Sequence, residues 1–400
     1  MAVTSLAGPG PTTAVSRFLI PDLPSVAELL PYLRRLDEVR WYSNFGPLVC
    51  EFEEKLQRLL ARADRTPDQG PIYLTTLVSG HFALEVALHL FGITHGKKVL
   101  LPAVTFPACP LSIRHTGAEA VLADVDPVTW TLTPSIARAA AARSQIDAVM
   151  PVALYGVPLP VAPWDEFSRE TGIPVVIDAA AAVEVQQVPQ LGIVAQSLHA
   201  TKPFGIGEGG ILLSRDANLV ETARGYSNFG TSERICHEDG SNVKMSEYHA
   251  AVGLAQLNRW NDVKHRRGEL LALYRQHLEP LEEFLSVQPD IETAVVSLFV
   301  LLFPRSNADC VMRDLGKRGI STHRSYFPPL YRHPHFANAA VSDINGDVLP
   351  GTTDGERKLE HMGNSESLFA HVVGVPFHSF MSEPDVVTVV EEVRRLVGEA

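Results

Sequence analysis

The chain has 400 residues, of which 46% are hydrophobic and 20% charged, a composition typical of a folded globular protein. Its formal net charge is −12, and no Lys/Arg cluster is dense enough for binding a nucleic-acid backbone. The four cysteines contain no CxxC pair, so neither a structural zinc site nor a disulfide framework is predicted. No apolar run reaches the ~18 residues of a membrane span. We therefore expect a soluble, cytoplasmic protein without a metal ion.

The first half of the chain shows a regular alternation of helical and strand patterns. Residues 1–20, rich in small residues and proline, are expected to form a flexible lead-in. Helices are predicted over 49–63, 82–91, 107–116, 135–142 and 164–171. Strands are predicted over 73–78, 98–101, 120–123, 148–152 and 175–177. This alternation indicates a mostly parallel sheet covered by helices on both faces.

The second half is less periodic. Two further strands are predicted over 192–197 and 211–213, and an irregular polar stretch over 228–244 precedes a long or broken helix over 245–275. A β-rich segment is then expected over 293–303, with helices over 308–318 and 384–397. The sequence thus predicts three parts: the lead-in 1–20, a large domain 21–280 and a smaller α+β domain 281–400.

Polar residues follow several predicted strands of the first half. Ligands of parallel sheets bind beyond the carboxyl ends of the strands, where Ser79 and Asp178 fall. Ser79-Gly80-His81 precedes a helix, whose first N–H groups bind anions, although many helices begin this way. Asp178 stands beside small alanines and is suited to hold the N–H of a flat ligand; a helix cap is the competing interpretation. Phe106 is a candidate for stacking on that ligand or an ordinary core residue.

Lys202 lies in the loop between the strands 192–197 and 211–213. Packed strands and glycine-rich backbone hydrate an ammonium poorly, which favours the neutral amine that attacks a carbonyl to form a Schiff base. The competing interpretation is a surface lysine in a hairpin loop. The loop contains a literal GxGxxG over 205–210. A strand rather than a helix follows it, so the dinucleotide-binding interpretation is rejected.

In this order, the segments resemble the DegT/DnrJ/EryC1/StrS family of sugar aminotransferases, which are fold-type I enzymes that use pyridoxal 5′-phosphate (PLP). The resemblance extends from about Asn44 to the C-terminus. It is carried by the segments 44–47, 79–84, 102–106, 124–126, 178–181, 197–210, 242–254, 319–322 and 374–376. It implies an α/β fold with a mostly parallel, seven-stranded-type sheet and a smaller C-terminal α+β domain.

The resemblance also implies roles for individual residues. Lys202 would form the Schiff base with PLP and move the proton, while Asp178 would keep the pyridine nitrogen protonated. Phe106 would stack on the ring. The phosphate would be held by residues of both subunits, namely Ser79, Gly80, His81 and Ser197 of one chain and Asn242 of its neighbour. A shared phosphate site implies a homodimer.

Three positions depart from the family pattern. His81 stands where threonine is common, Ala181 where glutamine is common, and Tyr331 where histidine often follows a Pro-hydrophobic pair. The last two mark the cofactor and substrate pockets. The expected substrate contacts are Ala181, Arg324, Tyr326 and Tyr331, with Arg224 as a further candidate for the donor carboxylate or the sugar diphosphate.

The sequence therefore predicts an aminotransferase for amino-sugar biosynthesis. It would take the amino group of L-glutamate and deliver it, in a ping-pong cycle, to a nucleotide-linked keto-sugar such as a dTDP-4-keto-6-deoxyhexose. The close alternative is a non-nucleotide ketone such as a keto-cyclitol. A sugar 3-dehydratase is disfavoured because those relatives carry histidine at the position of Lys202. A PLP-binding regulatory protein without catalysis is disfavoured because Lys202 and Asp178 are both intact.

Overall fold

A computed structural model of the protein describes residues 14–232 and 235–398. The helices of these residues are α1 Val26–Val39, α2 Pro47–Ala63, α3 Gly80–Leu90, α4 Ala108–His115, α5 Pro134–Arg143, α6 Val161–Thr171, α7 Ala217–Ser227, α8 Glu247–Leu278, α9 Ala308–Lys317, α10 Gly355–His361, α11 Gly363–His371 and α12 Glu383–Gly398. The strands are β1 Tyr73–Leu77, β2 Lys98–Pro102, β3 Glu119–Ala123, β4 Ala148–Val149, β5 Val175–Asp178, β6 Gly192–Ser197, β7 Gly210–Ser214, β8 Thr231–Ser232, β9 Ile235–Cys236, β10 Ser286–Val287, β11 Phe299–Leu302, β12 Ala340–Ser342, β13 Val348–Leu349 and β14 Val372–Val375.

The centre of the molecule is a nine-stranded sheet in the order β1-β7-β6-β5-β4-β2-β3-β12-β13. The strands from β6 to β12 run parallel, whereas β7 is antiparallel to both of its neighbours. The predicted α/β fold with a mostly parallel sheet is confirmed. Seven contiguous strands correspond to the predicted seven-stranded type, and β12 and β13 extend the sheet beyond it.

Successive side chains of a strand point to opposite faces of the sheet. Because the strands are apolar along their whole length, both faces of the sheet must be covered by helices. In β5, Val175 and Ile177 pack into one core with residues of α2 and α8. Val176 packs into the core on the other face, which includes residues of α3. The all-apolar strand sequences thus follow from helical cover on both sides.

Three strands of the C-terminal part and residues 14–20 form a second layer of structure. β10, β11 and β14 make a three-stranded sheet, and its core includes residues of α9 and α12. Val15 is buried in the same core, and its carbonyl accepts a hydrogen bond from Ser321 N at 3.0 Å. The carbonyl of Phe18 accepts one from Phe377 N at 3.2 Å.

These contacts depart from the predicted domain boundaries in two places. Of the predicted flexible lead-in 1–20, residues 14–20 pack against the C-terminal part of the chain, and residues 1–13 lie outside the described residues. Within the predicted C-terminal domain 281–400, β12 instead joins the central sheet, with Val341 opposite Leu122 of β3. The C-terminal part therefore contributes to both layers.

Three predicted elements differ in extent. The strand predicted over 148–152 is only Ala148–Val149, because Pro151 has no N–H to donate to a ladder. The β-rich prediction 293–303 reduces to Phe299–Leu302, and the irregular stretch 228–244 contains the short hairpin β8–β9. The long helix is continuous over 32 residues. No helix among the described residues combines the length and the apolar character of a membrane span.

Candidate active site

Several predicted site residues lie at one edge of the central sheet. β1 is antiparallel to β7, which is antiparallel to β6, so β1 and β6 point the same way as β2 and β5. The residues after these strands therefore share an edge, and they are Ser79 after β1, Thr105 and Phe106 after β2, Asp178 at the end of β5 and Ser197 at the end of β6. This is the edge where ligands of such sheets bind.

Two glycines bring the chain segments at this edge into close contact. A Cβ on Gly80 would lie 2.7 Å from Cβ of Ser197, and a Cβ on Gly210 would overlap the carbonyl of Ser79. Ser79 caps α3, its hydroxyl oxygen accepting a hydrogen bond from Phe82 N at 3.3 Å. The start of α3 thus lies against Ser197, and its unpaired N–H groups are suited to a phosphate.

The side chain of His81 contacts α4 and not the predicted phosphate site. Its Nδ1 lies 3.2 Å from the carbonyl oxygen of Ala108, and its Nε2 lies 3.3 Å from Nδ1 of His115. Burial lowers the pKa of His81, which favours the neutral imidazole. Any phosphate contact of this residue would therefore be through its backbone N–H.

Asp178 is a buried carboxylate with two hydrogen-bond donors. Cys109 Sγ donates to Oδ2 at 2.8 Å, and Ala180 N donates to Oδ1 at 3.0 Å. Burial raises its pKa, while the Cys109 hydrogen bond and the positive charge of Lys202 offset part of that rise. Within the described part of the chain no basic side chain forms a salt bridge with Asp178. Such a carboxylate suits a cationic ligand such as a pyridinium.

Cys109 is a site residue that the sequence did not reveal. It is fully buried on α4, and its sulfur also lies 3.2 Å from the Thr105 hydroxyl. Burial raises the pKa of the Cys109 thiol well above its ordinary value, so the group keeps the proton that it donates to Asp178. The available signal was the spacing: Thr105 and Cys109 lie four residues apart where a helix follows a strand end.

The loop that carries Lys202 is closed by backbone hydrogen bonds. Leu198 N donates to Gly209 O, and Ala200 N donates to Gly207 O, both at 2.8 Å. Lys202 N donates to His199 O at 2.9 Å, and the lysine is half-buried. Asp178 pairs with Ala195 of β6, and Ser197 N donates to Ala180 O at 3.3 Å, so the loop that carries Lys202 begins beside Asp178.

An aromatic group borders the same edge. Phe106 is 44% exposed, so a face of its ring is accessible to a ligand. Tyr326 meets it edge-on at 6.3 Å between ring centroids and stacks on Tyr155 at 5.2 Å. The structure therefore brings Phe106 and Tyr326 together, as is required if both residues line one site. Tyr155 is a further residue that sequence patterns did not indicate.

Three predicted substrate contacts are engaged elsewhere. Arg324 pairs with Asp309 and lies over the Phe369 ring at 4.7 Å. Tyr331 is buried and donates its hydroxyl proton to Glu366 at 2.7 Å. Arg224 pairs with Glu53 at 2.6 Å and covers the ring of Phe45 at 3.9 Å. These contacts give no support to a substrate role for Arg324, Tyr331 or Arg224.

The two remaining predicted residues differ in exposure. Ala181 is buried, with its carbonyl packed against Gly156. Asn242 is exposed, and its side-chain oxygen accepts a hydrogen bond from Lys244 Nζ at 2.6 Å. The neighbouring Val243 accepts a backbone hydrogen bond from Val78 at 2.7 Å. An exposed amide is available to a second subunit, and its contact with a neighbouring site stays a prediction.

Comparison with known proteins agrees with this geometry. Residues 25–394 match the DegT/DnrJ/EryC1/StrS aminotransferase family. Protein Rv3402c of Mycobacterium tuberculosis is 31% identical over 96% of this chain and 91% of its own length. GDP-perosamine synthase of Caulobacter vibrioides is 28% identical over 88% of this chain and 97% of its own length.

A solved structure extends the likeness to three dimensions. The crystal structure of DesI in the presence of its TDP-sugar product superposes with a TM-score of 0.77 and 28% identity, covering 95% of this chain and 93% of that chain. The family match spans nearly the whole chain and confirms the predicted activity class and cofactor. The chain belongs to the DegT/DnrJ/EryC1/StrS family and is a PLP-dependent aminotransferase.

Proposed function

We propose that the enzyme transfers the amino group of L-glutamate to a nucleotide-linked keto-sugar in a ping-pong cycle. The observation that carries this proposal is the buried Asp178 carboxylate, which has hydrogen-bond donors but no salt-bridge partner in the described chain and feels the charge of Lys202. PLP, when bound, supplies the electron sink that makes the α-proton of an amino acid labile. The residues of the chain orient it and move protons.

Asp178 and Lys202 have different tasks in this scheme. Asp178 would accept a hydrogen bond from the protonated pyridine nitrogen, and the ionic contact would replace the solvation that burial removes. Lys202 would hold the cofactor through its Nζ and carry the proton between the two carbon atoms that exchange it. The start of α3 and Ser197 would fix the phosphate, so that the ring is held at both ends.

The nucleotide-sugar class is supported by what the relatives are named for. One is a GDP-perosamine synthase, and DesI was crystallised with a TDP-sugar product. Both names specify nucleotide-linked compounds, with different bases. The exposed ring of Phe106 and the adjoining Tyr326 leave an accessible aromatic border for a ring-shaped acceptor. We keep dTDP-4-keto-6-deoxyhexoses as the first candidates among such sugars.

The test is an acceptor panel with the PLP-loaded enzyme and L-glutamate. Each reaction offers one ketone: a dTDP- or GDP-linked keto-6-deoxyhexose, the same sugar without its nucleotide, or a keto-cyclitol. We expect an amine product and stoichiometric 2-oxoglutarate with a nucleotide-linked sugar, and none with Lys202→Ala. Amination of the keto-cyclitol alone would favour the alternative acceptor class. No amine product from any acceptor would contradict the proposal.

A further inference from the structure

Two imidazoles and one carboxylate, groups of the kinds that bind metal ions, converge between α3 and α4. His81 and Glu85 lie one turn apart on α3, and His115 is the last residue of α4. His81 Nε2 lies 3.3 Å from His115 Nδ1 and 3.7 Å from Glu85 Oε2, while His115 Nδ1 lies 3.1 Å from Glu85 Oε2. The three atoms form a nearly regular triangle.

The dimensions of this triangle match one face of a tetrahedral zinc site. Zinc binds imidazole nitrogen and carboxylate oxygen at ~2.0–2.2 Å, so neighbouring ligand atoms in a tetrahedral site are about 3.3 Å apart. The three observed separations, 3.1, 3.3 and 3.7 Å, bracket that spacing. Two imidazoles and one carboxylate form a ligand set that leaves a fourth position for water.

The tautomer of His81 is fixed in the form that a metal needs. Its Nδ1 faces the carbonyl oxygen of Ala108 at 3.2 Å, and a carbonyl can only accept a hydrogen bond. Nδ1 of a neutral His81 therefore carries the proton, and Nε2 directs a lone pair toward Glu85 and His115. A second hydrogen bond of this kind orients the ligating histidine in many metal sites.

Hydrogen bonds alone leave the cluster incompletely satisfied. Both His81 Nε2 and the Glu85 carboxylate are acceptors, and His115 Nδ1 can donate its single proton to only one of them. A cation at the centre would satisfy all three atoms at once. The side chains of Glu85 and His115 are 17% and 53% exposed, so an ion can enter from solvent.

We propose that His81, Glu85 and His115 bind a divalent transition-metal ion, with zinc the best fit. Magnesium and calcium prefer oxygen ligands, and two imidazoles disfavour them. The ion would tie the first turn of α3, which is proposed to hold the phosphate together with Ser197, to the end of α4, the helix that carries Cys109. No metal site is predicted from the sequence because its cysteines are scattered and because 30 residues separate Glu85 from His115.

The test uses untagged, PLP-loaded enzyme freed of metal with a chelator and then titrated with zinc chloride. We expect one zinc ion per chain, and cobalt in its place should give the visible absorption bands of a four- or five-coordinate site. His115→Ala and Glu85→Gln should each weaken zinc binding at least about 10-fold. The visible cobalt spectrum of the unaltered protein tests the site even if a variant folds poorly.

The matched control is His265→Ala on α8. His265 pairs with Glu269 at 3.2 Å in the same i,i+4 arrangement and is exposed, but no third ligand joins it among the groups found in the described residues. We expect this variant to bind zinc like the unaltered protein. Absence of stoichiometric zinc in the unaltered protein, or equal zinc affinity in His115→Ala, would overturn the proposal.

Discussion

At the scale of single residues, the thiol of Cys109 is the contact that most directly influences Asp178. It is one of two donors to a carboxylate that is 5% exposed. A hydrogen bond to a charged group contributes ~1.5–3 kcal/mol. We expect Cys109→Ala to reduce kcat/KM and PLP affinity by about 10-fold or more, since 1.4 kcal/mol corresponds to a factor of ten. A PLP titration and steady-state kinetics measure both effects.

The conservative variant separates a hydrogen bond from packing. Cys109→Ser places a hydroxyl donor where the thiol was, so we expect it to recover most of the PLP affinity that Cys109→Ala loses. If the alanine variant binds PLP as tightly as the unaltered enzyme, the thiol has no positioning role.

Asp178 should also limit the stability of the cofactor-free protein. Burial raises its pKa in the folded state, so between the unfolded and folded pKa values the folded state binds more protons. Stability therefore falls as pH rises through that window, and the loss is complete above the folded pKa. We expect cofactor-free Asp178→Asn to melt at a higher temperature than the unaltered protein at pH 7.

The same comparison of the two proteins across pH checks the direction in which stability changes with pH. The advantage of Asp178→Asn should shrink as pH falls through the raised pKa of the folded state, and it should vanish below the ordinary aspartate pKa of 3.8, where the unaltered carboxyl is neutral in both states. Thermal unfolding of both proteins over a pH series measures it. A cofactor-free variant that is less stable than the unaltered protein at pH 7 would contradict this account of the site.

At the residue scale, sequence patterns predict the local setting of a side chain where the motif surrounds it. Asp178 follows its strand directly, and Lys202 lies among glycines that close the loop. Sequence patterns do not reveal the partners of Arg324 and Tyr331, because Asp309 and Glu366 lie 15 and 35 residues away in the sequence. A motif cannot indicate which distant carboxylate will engage a side chain.

At the scale of elements, the contact between β7 and the start of α3 should be intolerant of added volume. A Cβ on Gly210 would overlap the Ser79 carbonyl, and backbone on both sides leaves no flexible group to yield. Overpacking of this kind costs about 1–3 kcal/mol. We expect Gly210→Ala to destabilise the protein and to weaken PLP binding, because the start of α3 must move away from Ser197.

Gly268→Ala is the matched control. Gly268 lies within α8, and nothing would contact its Cβ within 4 Å. Alanine favours a helix interior over glycine by ~1 kcal/mol, so this variant should be as stable as the unaltered protein or more so. Thermal unfolding and a PLP titration of the two variants provide the measurement. Equal behaviour of both variants would show that the close approach is unimportant.

Elements with strong local patterns were predictable. The apolar strands among β1 to β7, and the helices between them, are predictable from hydrophobic periodicity. By contrast, β12 and β13 have only three and two residues, too few for a pattern to register. The helix α1 contains Pro31 in its interior, which normally argues against a helix. Its capping box at Ser25 and Glu28 was the available signal.

At the scale of the whole molecule, segments far apart in the sequence complete each of the two larger sheets and its core. Ser321 N donates to the carbonyl of Val15, and β12 pairs with β3. Such pairings are set by the packing of the whole chain, so no local pattern predicts them. The predicted homodimer, which we also propose, would extend this dependence on distant segments from one chain to two. Its shared site requires the exposed Asn242 of one subunit to reach the phosphate of the other.

Subunit complementation tests the shared site. Asn242→Asp would place a negative charge against the phosphate, and Lys202→Ala would remove the cofactor linkage, so each homodimer should have little activity. In a mixed dimer, one site combines an intact Lys202 with an intact Asn242. Random pairing in a two-fold dimer should restore about a quarter of the wild-type activity. Coexpression with distinct tags and activity assays measure it.

The control pairs Lys202→Ala with Asp178→Asn. In the proposed site both residues belong to one chain, so every site of the mixed dimer would keep a defect and no activity should return. Recovery in neither mixture, with dimers demonstrably formed, would show that Asn242 does not serve the neighbouring site.

The central claim is that Lys202 holds PLP beside Asp178 and that the bound cofactor accepts the amine of L-glutamate. The most direct measurement is the visible spectrum of the PLP-loaded enzyme before and after glutamate, followed by borohydride reduction and peptide mass spectrometry. We predict a cofactor band that disappears on adding glutamate, and reductive attachment of PLP to the peptide containing Lys202. Attachment to another lysine, or a band unmoved by any amino donor, would contradict the account.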